Sequence, residues 1–143
     1  MLEILPFASQ AGTAHEIAQP QPVDPSDFRA ALRELVGAVS VVTVGRARGE
    51  RNGFTATSVT SLSVEPPLLL VCVNRSTSSY PQLLRDGVFA VNVLTAAQRD
   101  ISDRFAGRDG AFGDARFRGA RWTTLATGAP VLADALAVAD CDV

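Results

Sequence analysis

Lysine is missing altogether: all 13 basic residues of this 143-residue chain are arginine. That excludes a Schiff-base lysine and a Walker-type phosphate lysine. The single histidine, His15, lies near the N-terminus, so a Ser-His-Asp triad or a histidine-rich metal centre would have to be built around a residue in a tail. No metal site and no acid-base catalytic residue is expected. Cysteine is almost as scarce. Cys72 and Cys141 are far apart, which reads as two buried free thiols suited to a reducing cytoplasm, not as a ligand pair or a redox CxxC motif. No apolar run reaches the roughly 18 residues of a membrane span. The first 28 residues hold no Lys or Arg to form the basic start of a signal peptide. With a net charge of -2, neither nucleic acid nor an anionic membrane is an expected partner.

What is present suits one soluble domain. A chain of this length can bury roughly 68% of its unfolded surface, and 47% of its residues are hydrophobic. Residues 1–23, with "AQPQPV", read as a flexible arm, and residues 24–143 as the domain. "DPSDFRAALRELVG" predicts a core-packing helix: Asp24 caps, Pro25 opens the first turn, and Phe28, Ala31, Leu32, Leu35 and Val36 form one stripe before Gly37. "SVVTVG", the charged turn "RARGERN" and the hydroxyl-rich run after it predict a hairpin or two adjacent strands. After Pro66 and Pro67, "LLLVCVN" predicts a strand buried on both faces. A short helix over "SSYPQLLRDG", a central strand "VFAVNVL" and a helix begun by Thr95 follow. Residues 108–119 read as a long exposed loop, and "RWTTL", "APVL" and "ALAVADCDV" as short strands. Strands outnumber helices without regular βαβ spacing, so a barrel with flanking helices is favoured over a doubly wound sheet. No GxGxxG follows a strand.

The unusual stretch is "FTATSVTSLS", with six hydroxyls at Thr55, Thr57, Ser58, Thr60, Ser61 and Ser63. As one strand it would place hydroxyls on both faces, and each left unpaired in the interior would cost about 1–3 kcal/mol. Either they face solvent or neighbouring backbone at a sheet edge, or they meet a ligand rich in acceptors. A second polar cluster, "NRSTSS" from Asn74 to Ser79, follows the apolar strand and leads into a helix. Arg75 among hydroxyls could cradle a phosphate, although an arginine beside serines is commonly a solvated loop.

"GAVSVVTVG", "NGFTATSVTSLSVEPPLLLVCVNRSTSSYPQLL", "GVFAVNVLTAAQRDISDRFAG" and "GAPVLADALAVADCDV" together resemble the flavin reductase family, the small NAD(P)H:flavin oxidoreductases that supply reduced flavin to two-component monooxygenases. The resemblance runs from about Phe28 to Val143 and leaves the N-terminal arm outside. It implies a mainly β fold, a split β-barrel of the Greek-key, FMN-binding type with flanking α-helices. It implies FMN or FAD as flavin and NADH or NADPH as co-substrate, in a cytoplasmic homodimer with a monooxygenase partner. Carried onto this sequence, it sets Thr55, Ala56, Thr57 and Ser58 against the polar edge of the flavin, with Ser61, Leu62 and Ser63 extending that wall. Asn74, Arg75, Ser76 and Ser78 would hold the phosphate. Phe105 would lie near the flavin or nicotinamide ring, or else be a core aromatic. Hydride transfer between two cofactors needs stacking and orientation, not a protein nucleophile, in keeping with the missing Lys and His. Family members continue past the segment matching "CDV" into further strands carrying a Gly-Asp-His type turn; this sequence stops at Val143 and is expected to be C-terminally short. The alternative reading is therefore an FMN-binding module without turnover, and a weaker one is a barrel whose hydroxyls serve only sheet and turn bonding.

Overall fold

A computed structural model describes residues 23–46 and 50–143. His15 and all of the expected arm but Val23 lie outside the described residues. The contacts divide the chain into two units, Met1–Leu35 and Val36–Val143.

In the first unit, α1 spans Pro25–Arg33. Its start follows the local chemistry: Asp24 Oδ1 accepts the Ser26 backbone N–H at 2.7 Å, Pro25 needs no donor, and Asp27 complements the helix dipole. The expected core packing is corrected, because no residue of α1 is buried and Phe28 and Leu32 are exposed. An apolar stripe is buried only where another element covers it, and no described residue of this unit covers this one.

The second unit is mainly β with a few helices. Strands β1 (Ser40–Val44), β2 (Asn52–Ala56), β5 (Val88–Val93) and β8 (Ala137–Asp142) form a sheet in the order β2-β1-β5-β8, antiparallel throughout. β3 (Val59–Ser63) pairs with β4 (Leu68–Val71), and β6 (Trp122–Thr124) with β7 (Pro130–Leu132). These sheets are open among the described residues, and none closes into a barrel. Helices α2 (Tyr80–Asp86) and α3 (Arg99–Phe105) are short. The turn into α3 begins at Thr95 as expected, and the cap there is reciprocal, the Thr95 backbone N–H donating to Gln98 Oε1 at 2.9 Å.

The β-branched run of β1 is buried along its whole length, as a strand between β2 and β5 must be. Two polar residues in this core tie the separate β7 to the main sheet. Asn92 is fully buried. Its Oδ1 accepts the Leu132 N–H at 2.8 Å and its Nδ2 donates to Val41 O at 3.1 Å. Thr43 Oγ1 donates to Pro130 O at 2.5 Å. Phe105, Phe117 and Trp122 form a second core, with ring centroids 4.9–5.6 Å apart in edge and tilted contacts.

Four further expectations are corrected. The hydroxyl run is not one strand: it bends at Thr57–Ser58, between β2 and β3. β4 alternates between exposed and half-buried positions, because among the described residues its only strand partner is β3. Residues 108–119 are not wholly an exposed loop, since a 3₁₀ turn at Gly113–Phe117 buries Arg116 and Phe117. Cys72 is exposed and Cys141 half-buried; the exposed thiol follows the end of the half-covered strand β4.

Replacing Asn92 by Leu keeps the branched shape of the side chain but strips the Leu132 N–H and Val41 carbonyl of their side-chain partner. It is expected to lower stability by about 1–3 kcal/mol, read as a lower urea midpoint. An unchanged midpoint would show that β7 is held without this amide.

Candidate functional site

A cleft of about 660 Å³ opens where the end of β2, the bend after it, the loop after β4 and the end of α3 converge. Its β2 wall is Phe54, Thr55, Ala56, Thr57 and Ser58, facing Cys72, Asn74, Ser76, Thr77 and Ser78. Phe105, Ala106, Phe112 and Arg116 close the remaining sides.

The opening depends on Gly53. A Cβ on this residue would lie 2.8 Å from Phe105 Cε1 and 2.6 Å from Val42 O, closer than side chains tolerate. Only glycine lets the Phe105 ring lie directly on β2, and the end of α3 is thereby set against the strand. The Thr55 hydroxyl fixes the same junction by donating to Ser102 O at 2.6 Å. Phe105 is 2% exposed and packs on Phe117 and Trp122. It is therefore a core aromatic and also part of the cleft wall.

On the opposite rim, Asn74 Oδ1 accepts both the backbone N–H and the hydroxyl of Ser76, each at 2.9 Å. This side chain holds the loop in a turn. Asn52 joins that loop to β2, its Nδ2 donating to Ser78 Oγ at 3.2 Å while its Oδ1 accepts the Gly53 N–H at 2.9 Å. Arg116 enters from the 3₁₀ turn. Its Nη1 donates to Gly53 O at 2.5 Å and to Asn52 Oδ1 at 3.4 Å, and its Nε donates to Ala111 O at 2.9 Å. Burial pushes this guanidinium below its usual range, with the charge of Asp109 acting the other way; an arginine remains a cation at neutral pH regardless.

Of the twelve residues named from the sequence, the structure brings eight into this cleft: Thr55, Ala56, Thr57, Ser58, Asn74, Ser76, Ser78 and Phe105. Four are not brought there. Ser61 and Ser63 line a separate groove of about 790 Å³ beside β4 and β8, because the chain changes sheets at the bend. Leu62 is exposed. Arg75 is exposed, its guanidinium 5.8 Å from the Tyr80 ring centroid. Sequence reasoning missed Thr77, Phe112 and Arg116. The signal available was a pair of phenylalanines, Phe112 and Phe117, in a stretch otherwise rich in glycine and charge.

The donor set suits a planar, polar-edged ligand with an anionic tail. Hydroxyls and exposed strand-end backbone occupy one wall, an aromatic edge lies behind, and a cation sits at one end. Thr77 is among the lining residues, but its Oγ1 is buried without a hydrogen-bond partner and so is turned away from the open cleft.

A family model described as flavin reductase like domain matches residues 32–143. The FMN reductase (NADH) RutF of Bradyrhizobium diazoefficiens is 48% identical over 121 residues, which cover 85% of this chain and 66% of that protein. Among solved structures, BorF, the flavin reductase component of a bacterial two-component tryptophan halogenase, superposes with a TM-score of 0.74 at 36% identity, covering 83% of this chain and 74% of that one. The NADH:FAD oxidoreductase SgcE6 of Streptomyces globisporus, solved with NAD and FAD fragments, gives a TM-score of 0.72 at 35% identity, covering 86% of this chain and 73% of that one.

Gly53→Ala is expected to cost about 1–3 kcal/mol of stability through overpacking against Phe105 and β1, measured by thermal or urea unfolding. A variant as stable as the parent would mean that α3 can move off β2 freely.

Proposed function

The chain belongs to the flavin reductase-like domain family, and on that footing we propose that it binds FMN in the cleft beside β2 and reduces it with NADH. FAD is the second flavin to test, and NADPH the second donor. The observation that carries this reading is the convergence of the β2 end, the Asn74–Ser78 loop and Phe105 on one cleft. When bound together, the nicotinamide supplies the hydride and the flavin accepts it. The chain's own work is to bind and orient. Thr57 and Ser58, exposed at the bend, would offer hydroxyls and backbone to the polar edge of the flavin. The Thr55 hydroxyl is already donated to α3, so this residue contributes its backbone and its place in the wall. Asn74, Ser76 and Ser78 would face the ribityl phosphate, with Arg75 adding positive field from the same loop. Phe105 and Phe112 would give apolar surface to the rings and shield them from water.

The finer readings follow from the same premise. The open sheets are taken as parts of a split β-barrel, with residues 24–143 as its domain. The whole works as a cytoplasmic homodimer that passes reduced flavin to a partner monooxygenase. Exposed Leu62, Val64, Leu68 and Leu70 on the β3–β4 pair support a subunit contact on that side. No helix among the described residues is long and apolar enough to cross a membrane.

The test is NADH oxidation by the purified protein. Added FMN is expected to accelerate loss of the nicotinamide absorbance, with NADH preferred to NADPH. Flavin fluorescence quenching without NADH oxidation would reduce the protein to a binding module, and no quenching by FMN or FAD would remove the reading. Thr57→Val is expected to weaken FMN binding about fivefold or more while moving the unfolding midpoint little, as for an exposed position. The reverse order would return the hydroxyls to a purely structural role.

A further inference from the structure

Arg116 is unusual for a buried arginine, being only 8% exposed. Among the described residues no carboxylate lies within ion-pair distance of it. Asp109, the acidic residue whose charge reaches it, is paired with Arg104 at 3.1 Å. The hydrogen bonds of Arg116 all go to neutral acceptors, the carbonyls of Ala111 and Gly53 and the side-chain oxygen of Asn52. Removing a cation from water without an opposite charge is costly, and neutral acceptors repay only part of that. Nε and Nη1 are used in these bonds, while Nη2 has no protein partner among the described residues.

This guanidinium lines the same cleft as Ser76, Thr77 and Ser78. Through Asn52 it belongs to the network that ends on Ser78 Oγ. Arg75, the cation that the sequence put forward, lies outside the lining and leans toward Tyr80.

We propose that Arg116 is the specificity residue of the cleft: its free Nη2 edge receives the anionic phosphate of the flavin, so that phosphorylated flavin is preferred to the neutral ring system. This rests on the reading that the cleft holds flavin. Its three neutral bonds hold the guanidinium in place before the ligand arrives, so little side-chain entropy is lost on binding. A long exposed arginine such as Arg75 would have to be immobilised first.

The experiment compares FMN with riboflavin, which has the same ring and no phosphate, by fluorescence quenching on the full chain. The unmodified protein is expected to bind FMN at least about tenfold more tightly, as a charge-assisted bond implies. Arg116→Gln keeps an amide donor for Gly53 O and removes the charge. It is expected to abolish most of that preference while leaving riboflavin affinity within about threefold. Arg116→Lys, which retains the charge, should keep part of the preference, and Arg75→Gln should reduce it less than Arg116→Gln does. If Arg116→Gln weakens FMN and riboflavin by the same factor, the residue is a structural brace and the assignment falls. It falls also if Arg75→Gln alone removes the preference. Should Arg116→Gln fail to fold, Arg116→Lys and Arg75→Gln decide: a lysine variant that keeps part of the preference with normal riboflavin affinity supports the assignment, whereas a lysine variant that weakens FMN and riboflavin by the same factor, or a preference carried by Arg75, overturns it. An unmodified protein that binds neither flavin would overturn the occupancy of the cleft and this assignment with it.

Discussion

The cleft exists because position 53 has no side chain. Phe105 occupies the space a Cβ would need, which draws the end of α3 onto β2 and stacks the aromatic core of Phe117 and Trp122 behind it. The backbone of the same residue then serves the site. Its N–H is held by Asn52 and its carbonyl receives Arg116. One glycine thus meets a packing demand on its open face and fixes two polar side chains through its peptide groups. The sheet behind it is held to β7 by Asn92 and Thr43, whose bonds are buried and so are costly to lose.

The division of labour fits redox chemistry between two bound cofactors. A chain with no Lys and one His is poorly equipped for nucleophilic or proton-transfer catalysis, but hydride transfer makes no such demand. The chain can instead supply a shaped wall, a row of hydroxyls, apolar rings and one buried cation. Hydroxyls at the Thr57–Ser58 bend remain available to a ligand because the strand pairing stops there, whereas Thr55, one position inside β2, is already committed to α3. The place where a strand leaves its sheet is the place where its polar groups become free.

Much of the fold was legible from local chemistry. The Asp24 and Thr95 caps, the β1–β2 hairpin and the buried β5 depend on neighbours a few residues away or on a run of β-branched residues, and a sequence displays both. Alternation along Phe54–Ser63 could not show that the chain leaves one sheet for another at Thr57–Ser58, since a bend between two strands has the same residue types as a continuous polar strand. The family resemblance sets Ser61 and Ser63 on the flavin wall, whereas past the bend they lie beside a different groove. Arg116 was hidden by its surroundings: glycine and charge between residues 108 and 119 suggest a solvated loop, and only tertiary packing of Phe117 against Phe105 pulls the arginine inward. Arg75 illustrates the converse, a cation in a polar cluster that faces outward.

The central claim is that flavin sits between the β2 bend and the Asn74–Ser78 loop, and a crystal structure of the protein soaked with FMN tests it most directly. The account requires the ring system against residues 54–58, with its phosphate between Ser76–Ser78 and the guanidinium of Arg116. Flavin bound instead in the groove beside β4 and β8, with only water along the Thr57–Ser58 bend, would contradict it.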